Sequence, residues 1–99
     1  MKAEFTQFNN KDAWVQGTVG DYNFEAKLYD NGSKFGINNG RVSKLAIWDE
    51  DYREEYENFD EACVVVYERG WELEPIDKDD IECYNAVMEL LESSPKRFG

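Results

Sequence analysis

Ninety-nine residues carrying 22 acids, 11 bases and no histidine give a formal charge of −11, at a length that suits one domain with one hydrophobic core. That inventory excludes histidine-based acid/base catalysis and zinc sites with imidazole ligands, and it disfavours nucleic acid and anionic membranes as direct partners. Leu, Ile, Val and Phe total only 22 residues, close to the roughly 20% below which a highly charged chain stays disordered. Three Trp, six Tyr and six Phe compensate, because each buries about 150–250 Å²; a folded, acidic domain is expected.

Residues 1–11 hold Phe5 and Phe8 without a sustained period, and Asn9-Asn10 reads as a turn, so this segment is expected to be an irregular arm. From Ala13 the pattern alternates: Trp14, Gln16 and Thr18 against Val15, Gly17 and Val19, then Gly20-Asp21, then Tyr22, Phe24, Ala26 and Leu28 against Asn23, Glu25, Lys27 and Tyr29. Such a pattern predicts a β-hairpin. Asp30-Asn31-Gly32-Ser33 marks a second turn or the start of a longer loop, since Phe35-Gly36-Ile37-Asn38-Asn39-Gly40 follows with candidates for positive φ. Arg41 to Trp48 reads as a third strand burying Val42, Leu45 and Ile47, and the three-residue step from 42 to 45 predicts a bulge near Ser43-Lys44.

Asp49 to Glu61 is an acidic excursion in which Tyr52, Tyr56 and Phe59 are spaced for one helical face; a short, frayed helix or a turn is expected. Ala62 to Glu68 is β-branched and nearly continuous in apolar character, which predicts a central strand. Trp71 to Glu74 extends it as a short strand stopped by Pro75. Asp77 is placed to cap a helix over 77–93, with Asp79 and Asp80 in the first turn and a stripe of Ile81, Tyr84, Met88 and Leu91 flanked by Val87 and Leu90, and Pro95 ends it. The reading is an α+β domain spanning 1–99: a four-stranded, mostly antiparallel sheet in β-β-β-β-α order, with one C-terminal amphipathic helix on one face.

The charge is unevenly distributed. Residues 49–82 hold fifteen acids against three bases, a net of −12, while the flanking parts are close to neutral. On the assumption that 62–68 is a strand, its two acidic stretches leave from opposite ends unless the first folds back. Acids in such runs are solvated and keep ordinary pKa values, so they make poor general bases. Adjacent Ser43 and Lys44 point to opposite faces of a strand and form no nucleophile–base pair. Gly36 to Gly40 lacks the helix that a phosphate-binding loop requires, and neither acidic cluster has the spacing of an EF-hand. No catalytic residue, metal or cofactor is expected. Cys63 and Cys83, without a C-x-x-C pair, read as buried, reduced thiols in a cytoplasmic protein.

Three blocks carry a family likeness: Trp14-Val15-Gln16-Gly17-Thr18-Val19, Phe35 to Leu45, and Tyr67-Glu68-Arg69-Gly70-Trp71-Glu72-Leu73-Glu74-Pro75. Over roughly residues 13–92 the chain resembles small uncharacterised proteins encoded by bacteriophages and prophages of Gram-positive bacteria. The likeness implies genomic context and fold, and no chemistry. Two functional expectations follow. In the first, Asp49, Asp51, Glu54, Glu55, Glu57 and Asp60 imitate the duplex charge of one per about 1.7 Å, and Tyr52 and Tyr56 act as aromatic anchors. The protein then inhibits a basic, nucleic-acid-handling defence protein of the host, of the anti-CRISPR or anti-restriction type. The alternative is a binding module that sequesters an anionic small ligand such as a nucleotide signal through Arg41, Lys44, Arg69 and Trp71.

Overall fold

The computed structural model describes residues 1–9 and 12–94. Asn10 of the expected turn and Pro95 of the expected helix stop lie outside them. Six strands pair in chain order, every neighbour antiparallel: β1 (Ala3–Asn9), β2 (Trp14–Val19), β3 (Tyr22–Leu28), β4 (Val42–Asp49), β5 (Cys63–Glu68) and β6 (Trp71–Leu73). Two short helices, α1 (Glu50–Tyr56) and α2 (Phe59–Ala62), stand between β4 and β5, and α3 (Lys78–Ser93) follows β6. The α+β class, the antiparallel sheet and the C-terminal helix agree with the sequence reading. The strand count does not: six replace four.

Residues 3–9 form β1 in place of the expected irregular arm. In β1, Ala3 faces Val19, Phe5 faces Gly17 and Phe8 faces Val15, with a register shift between Phe5 and Gln7. The bulge inserts one residue, so the apolar positions fall at 3, 5 and 8 and no alternation shows. The same device was legible in β4. There Lys27 pairs with Lys44 and Leu28 with Val42, leaving Ser43 as the extra residue.

Alternation divides the sheet into two faces. Val15, Val19, Phe24, Ala26, Leu28, Leu45, Ile47 and Val65 are buried under α3. Gln16, Thr18, Asn23, Glu25, Lys27 and Lys44 point to the other face, which no helix of comparable length covers. Gly20, with φ +59°, makes the two-residue turn between β2 and β3. Between β3 and β4 the long loop carries Asn38 and Asn39 at positive φ, and the Tyr67 hydroxyl pins it by donating to the Phe35 carbonyl at 2.9 Å.

On α3 the buried line is Cys83, Val87 and Leu91, at i, i+4, i+8. The expected stripe was turned about the helix by treating Cys83 apart from it; Ile81 ends up 39% exposed, and Tyr84, Met88 and Leu90 flank the core. Asp77 does stand at the N-cap position, without a side-chain capping bond. Both cysteines are buried and free. No helix among the described residues is long and apolar enough to cross a membrane.

Gly17 sits under the Phe24 ring, its cross-strand partner. A Cβ there would overlap that ring and the Glu4 carbonyl oxygen of β1. Gly17→Ala is therefore expected to cost about 1–3 kcal/mol, read as a lowered denaturant midpoint with an unchanged m-value; an unchanged midpoint would show that β1 and the ring yield freely.

Candidate functional site

The acidic excursion begins with a cap. The Asp49 carboxylate accepts from the backbone N–H groups of Asp51 at 3.0 Å and Tyr52 at 3.3 Å, which starts α1 at the end of β4. Glu57, in the left-handed conformation at φ 51°, ends it, and the Asn58 side chain caps α2 by accepting from the Glu61 N–H at 3.1 Å. Tyr52, Tyr56 and Phe59 thus do not share one helical face. Tyr52 and Tyr56 lie ring to ring at 4.5 Å, while Phe59 turns back onto Trp48, with centroids 5.1 Å apart.

Glu50 ties this segment to the sheet. Its Oε2 accepts from Trp48 Nε1 at 2.6 Å and from Asn23 Nδ2 at 2.8 Å, and its Oε1 receives Arg53 at 2.9 Å. The Trp48 hydrogen bond chiefly holds this carboxyl below its ordinary pKa, helped by Asn23 and Arg53 and opposed by burial. Tyr52 adds a second tie, its hydroxyl donating to Glu61 at 3.0 Å. Glu50, Trp48 and Asn23 escaped the sequence reading because nothing local to them signals a contact 27 residues apart.

Held in this way, Asp51, Glu54, Glu55, Glu57 and Asp60 are exposed and make no ion pair among the described residues. Tyr56 is 58% exposed and Tyr52 half-buried. The second acidic stretch arrives at the same end of the molecule. Tyr22 pairs across the sheet with Asp49, and its hydroxyl pKa is raised by burial and by Asp80, Cys83, Asp49 and Asp79. β6 runs antiparallel to β5 and turns the chain back toward the end from which β5 started, and the first turn of α3 comes to Tyr22. Asp80 is itself pushed up, first by burial and then by Asp77 and Asp79.

Bases collect at the other end. Lys27 and Lys44 face each other across β3 and β4, and Lys34 and Arg69 both lie 5.2 Å from the Phe35 ring. Lys44 and Asp49 are five steps apart along β4, or about 16 Å at strand rise. Of the four residues expected to hold an anion, Arg41 serves α3. Its guanidinium donates to the carbonyls of Tyr29 at 2.7 Å and Ser94 at 2.6 Å, and its N–H to Glu92 at 2.8 Å. Trp71 lies between the rings of Tyr67 and Tyr84 on the α3 side, whereas Lys44 emerges on the opposite face. The structure does not bring these four together.

A family described as a domain of unknown function, DUF7678, matches residues 13–92. The chain belongs to this family. No curated protein and no solved structure gives a significant match. The DUF7678 span runs from the start of β2 nearly to the end of α3, so it includes the excursion and the Glu50 contacts, while β1 precedes it.

Two titrations of opposite sign follow in this DUF7678 chain. Glu50, with its lowered pKa, stabilises the fold above the ordinary carboxylate range, and that contribution is lost as pH falls through the lowered value. Glu50→Ala is expected to cost about 1–3 kcal/mol at pH 7 and to flatten the acid limb of the stability profile. Asp80, with its raised pKa, favours the fold when protonated, and this is lost as pH rises through the raised value. Asp80→Asn should stabilise the protein at pH 7 and gain nothing at low pH. Denaturant melts across pH 3–8 test both; parallel profiles for wild type and variants would refute the assignments.

Proposed function

We propose that this DUF7678 protein is a non-enzymatic inhibitor that binds a basic, nucleic-acid-handling protein by presenting the acidic excursion in place of a nucleic-acid backbone. The observation that carries this reading is the anchoring of the excursion. A run of acids that serves only solubility needs no fixed geometry, yet here Asp49 and Asn58 cap two helices and Glu50 fastens them to Trp48 and Asn23. Fixed carboxylates lose little conformational freedom on binding, which favours affinity. Asp51, Glu54, Glu55, Glu57 and Asp60 supply the charge, and Tyr56 and Tyr52 the aromatic contact area. Convergence of the second acidic stretch on the Tyr22 end strengthens the same field.

Taken with the resemblance to small phage and prophage proteins, the partner is a defence effector in the cytoplasm of a Gram-positive host, of the CRISPR or restriction type. The anionic-ligand alternative draws less support, because Arg41 is spent on the end of α3 and Lys44 opens onto the other face.

The test is capture from host lysate on the immobilised protein, eluted by a salt gradient and repeated with excess duplex DNA. Retention of a nucleic-acid-binding protein that both salt and DNA displace is expected. The variant carrying Asp51→Asn, Glu54→Gln, Glu55→Gln and Glu57→Asn should lose that retention while keeping its thermal midpoint. Unchanged retention by the folded variant would overturn the proposal.

A further inference from the structure

The face of the sheet opposite α3 carries a groove of about 440 Å³. Trp14 of β2 and Phe59 of α2 provide its aromatic walls, and four carboxylates line it: Glu25, Asp60, Glu68 and Glu72. Ala46 and Val66, cross-strand partners on β4 and β5, help form an apolar floor. Lys44 is the one cation among the lining residues. None of the four carboxylates, nor Lys44, makes an ion pair or side-chain hydrogen bond among the described residues. A second hollow, sharing Trp14 and Glu25, continues toward Gln7 and Asp12.

We propose that this groove receives an arginine side chain from an extended basic segment of a protein partner. The guanidinium would meet carboxylates from β3, β5 and β6 and lie against Trp14 or Phe59, while its methylene stem covers the apolar floor. An anion is disfavoured at the same place because four acids outnumber Lys44. The negative field reaches the buried wall: Cys63, only 8% exposed and lining the groove, has its thiol pushed up to about 11 by burial, Asp60 and Glu25. This inference deepens the proposed function, resting on it for the basic partner, and adds a side-chain pocket beside the excursion.

The experiment is an NMR titration of the 15N-labelled protein with N-acetyl-arginine amide and with an arginine-containing extended octapeptide, read at the three Trp indole N–H signals. A saturable shift of the Trp14 signal, tighter for the peptide and absent at Trp71, is the expected result. Glu25→Gln with Glu68→Gln should weaken binding about tenfold, and Lys44→Met should tighten it. No saturable shift at Trp14, equal affinity in the Glu25/Glu68 variant, or tighter binding of spermidine than of the peptide would overturn the assignment. The excursion variant above leaves Asp60 intact and separates the two claims. Loss of partner capture with retained peptide binding supports both, whereas peptide binding with capture unaffected sinks the proposed function and leaves the groove assignment standing.

Discussion

One helix cannot cover both faces of a six-stranded sheet, and most of this molecule follows from that limit. α3 buries one face through Cys83, Val87 and Leu91. The other must tolerate water, and strict alternation makes it largely polar along β2, β3 and β4, with Gln16, Thr18, Asn23, Glu25, Lys27 and Lys44. The apolar exceptions on that face include Trp14, Trp48, Ala46 and Val66. Each has a use: Trp48 supports the excursion through Phe59 and Glu50, and Trp14, Ala46 and Val66 shape the groove beside it. Side chains that break the polar pattern of an exposed face thus coincide with the surface proposed for a partner.

How much of this was legible in the sequence depended on whether the signal was local. The β2–β3 hairpin, β5, the bulge at Ser43 and the place where α3 starts all announce themselves within a few residues. β1 used the same one-residue insertion as β4 but lacked a flanking run of alternation long enough to reveal it, so Phe5 and Phe8 read as irregular. The stripe of α3 was misplaced by a fraction of a turn for a different reason. Cys83, read as a buried thiol but left out of the stripe, packs as an ordinary small hydrophobe at the N-terminal end of the buried line.

The candidate surface was legible in composition and illegible in geometry. Fifteen acids in residues 49–82 were plain, and the capping roles of Asp49 and Asn58 follow familiar helix-start chemistry. The contact that organises them was not, because Glu50 looks like one more member of a charge run until Asn23 is brought alongside it by the β3–β4 pairing. The convergence of the two acidic stretches depended on β6. Only three residues long, that strand reverses the chain beside β5 and delivers the start of α3 to the Tyr22 end, where an exit from the far end of β5 would otherwise have kept the stretches apart.

That convergence has an energetic consequence of its own. Asp49 and Asp80, far apart in sequence, both act on Tyr22, so folding brings these like charges to one end of the sheet, where they repel. The repulsion is opposed by the core and by the Glu50 contacts, and salt weakens it over a Debye length of about 8–10 Å. In the function proposed above, a basic partner would relieve the same repulsion directly, without disturbing the apolar face that carries the fold. On that proposal, stability and recognition are linked through one electrostatic term. The repulsion of acids gathered at one end of a small sheet would then become binding free energy for the proposed partner's cations, and Glu50 keeps the excursion from simply lifting away to relieve it.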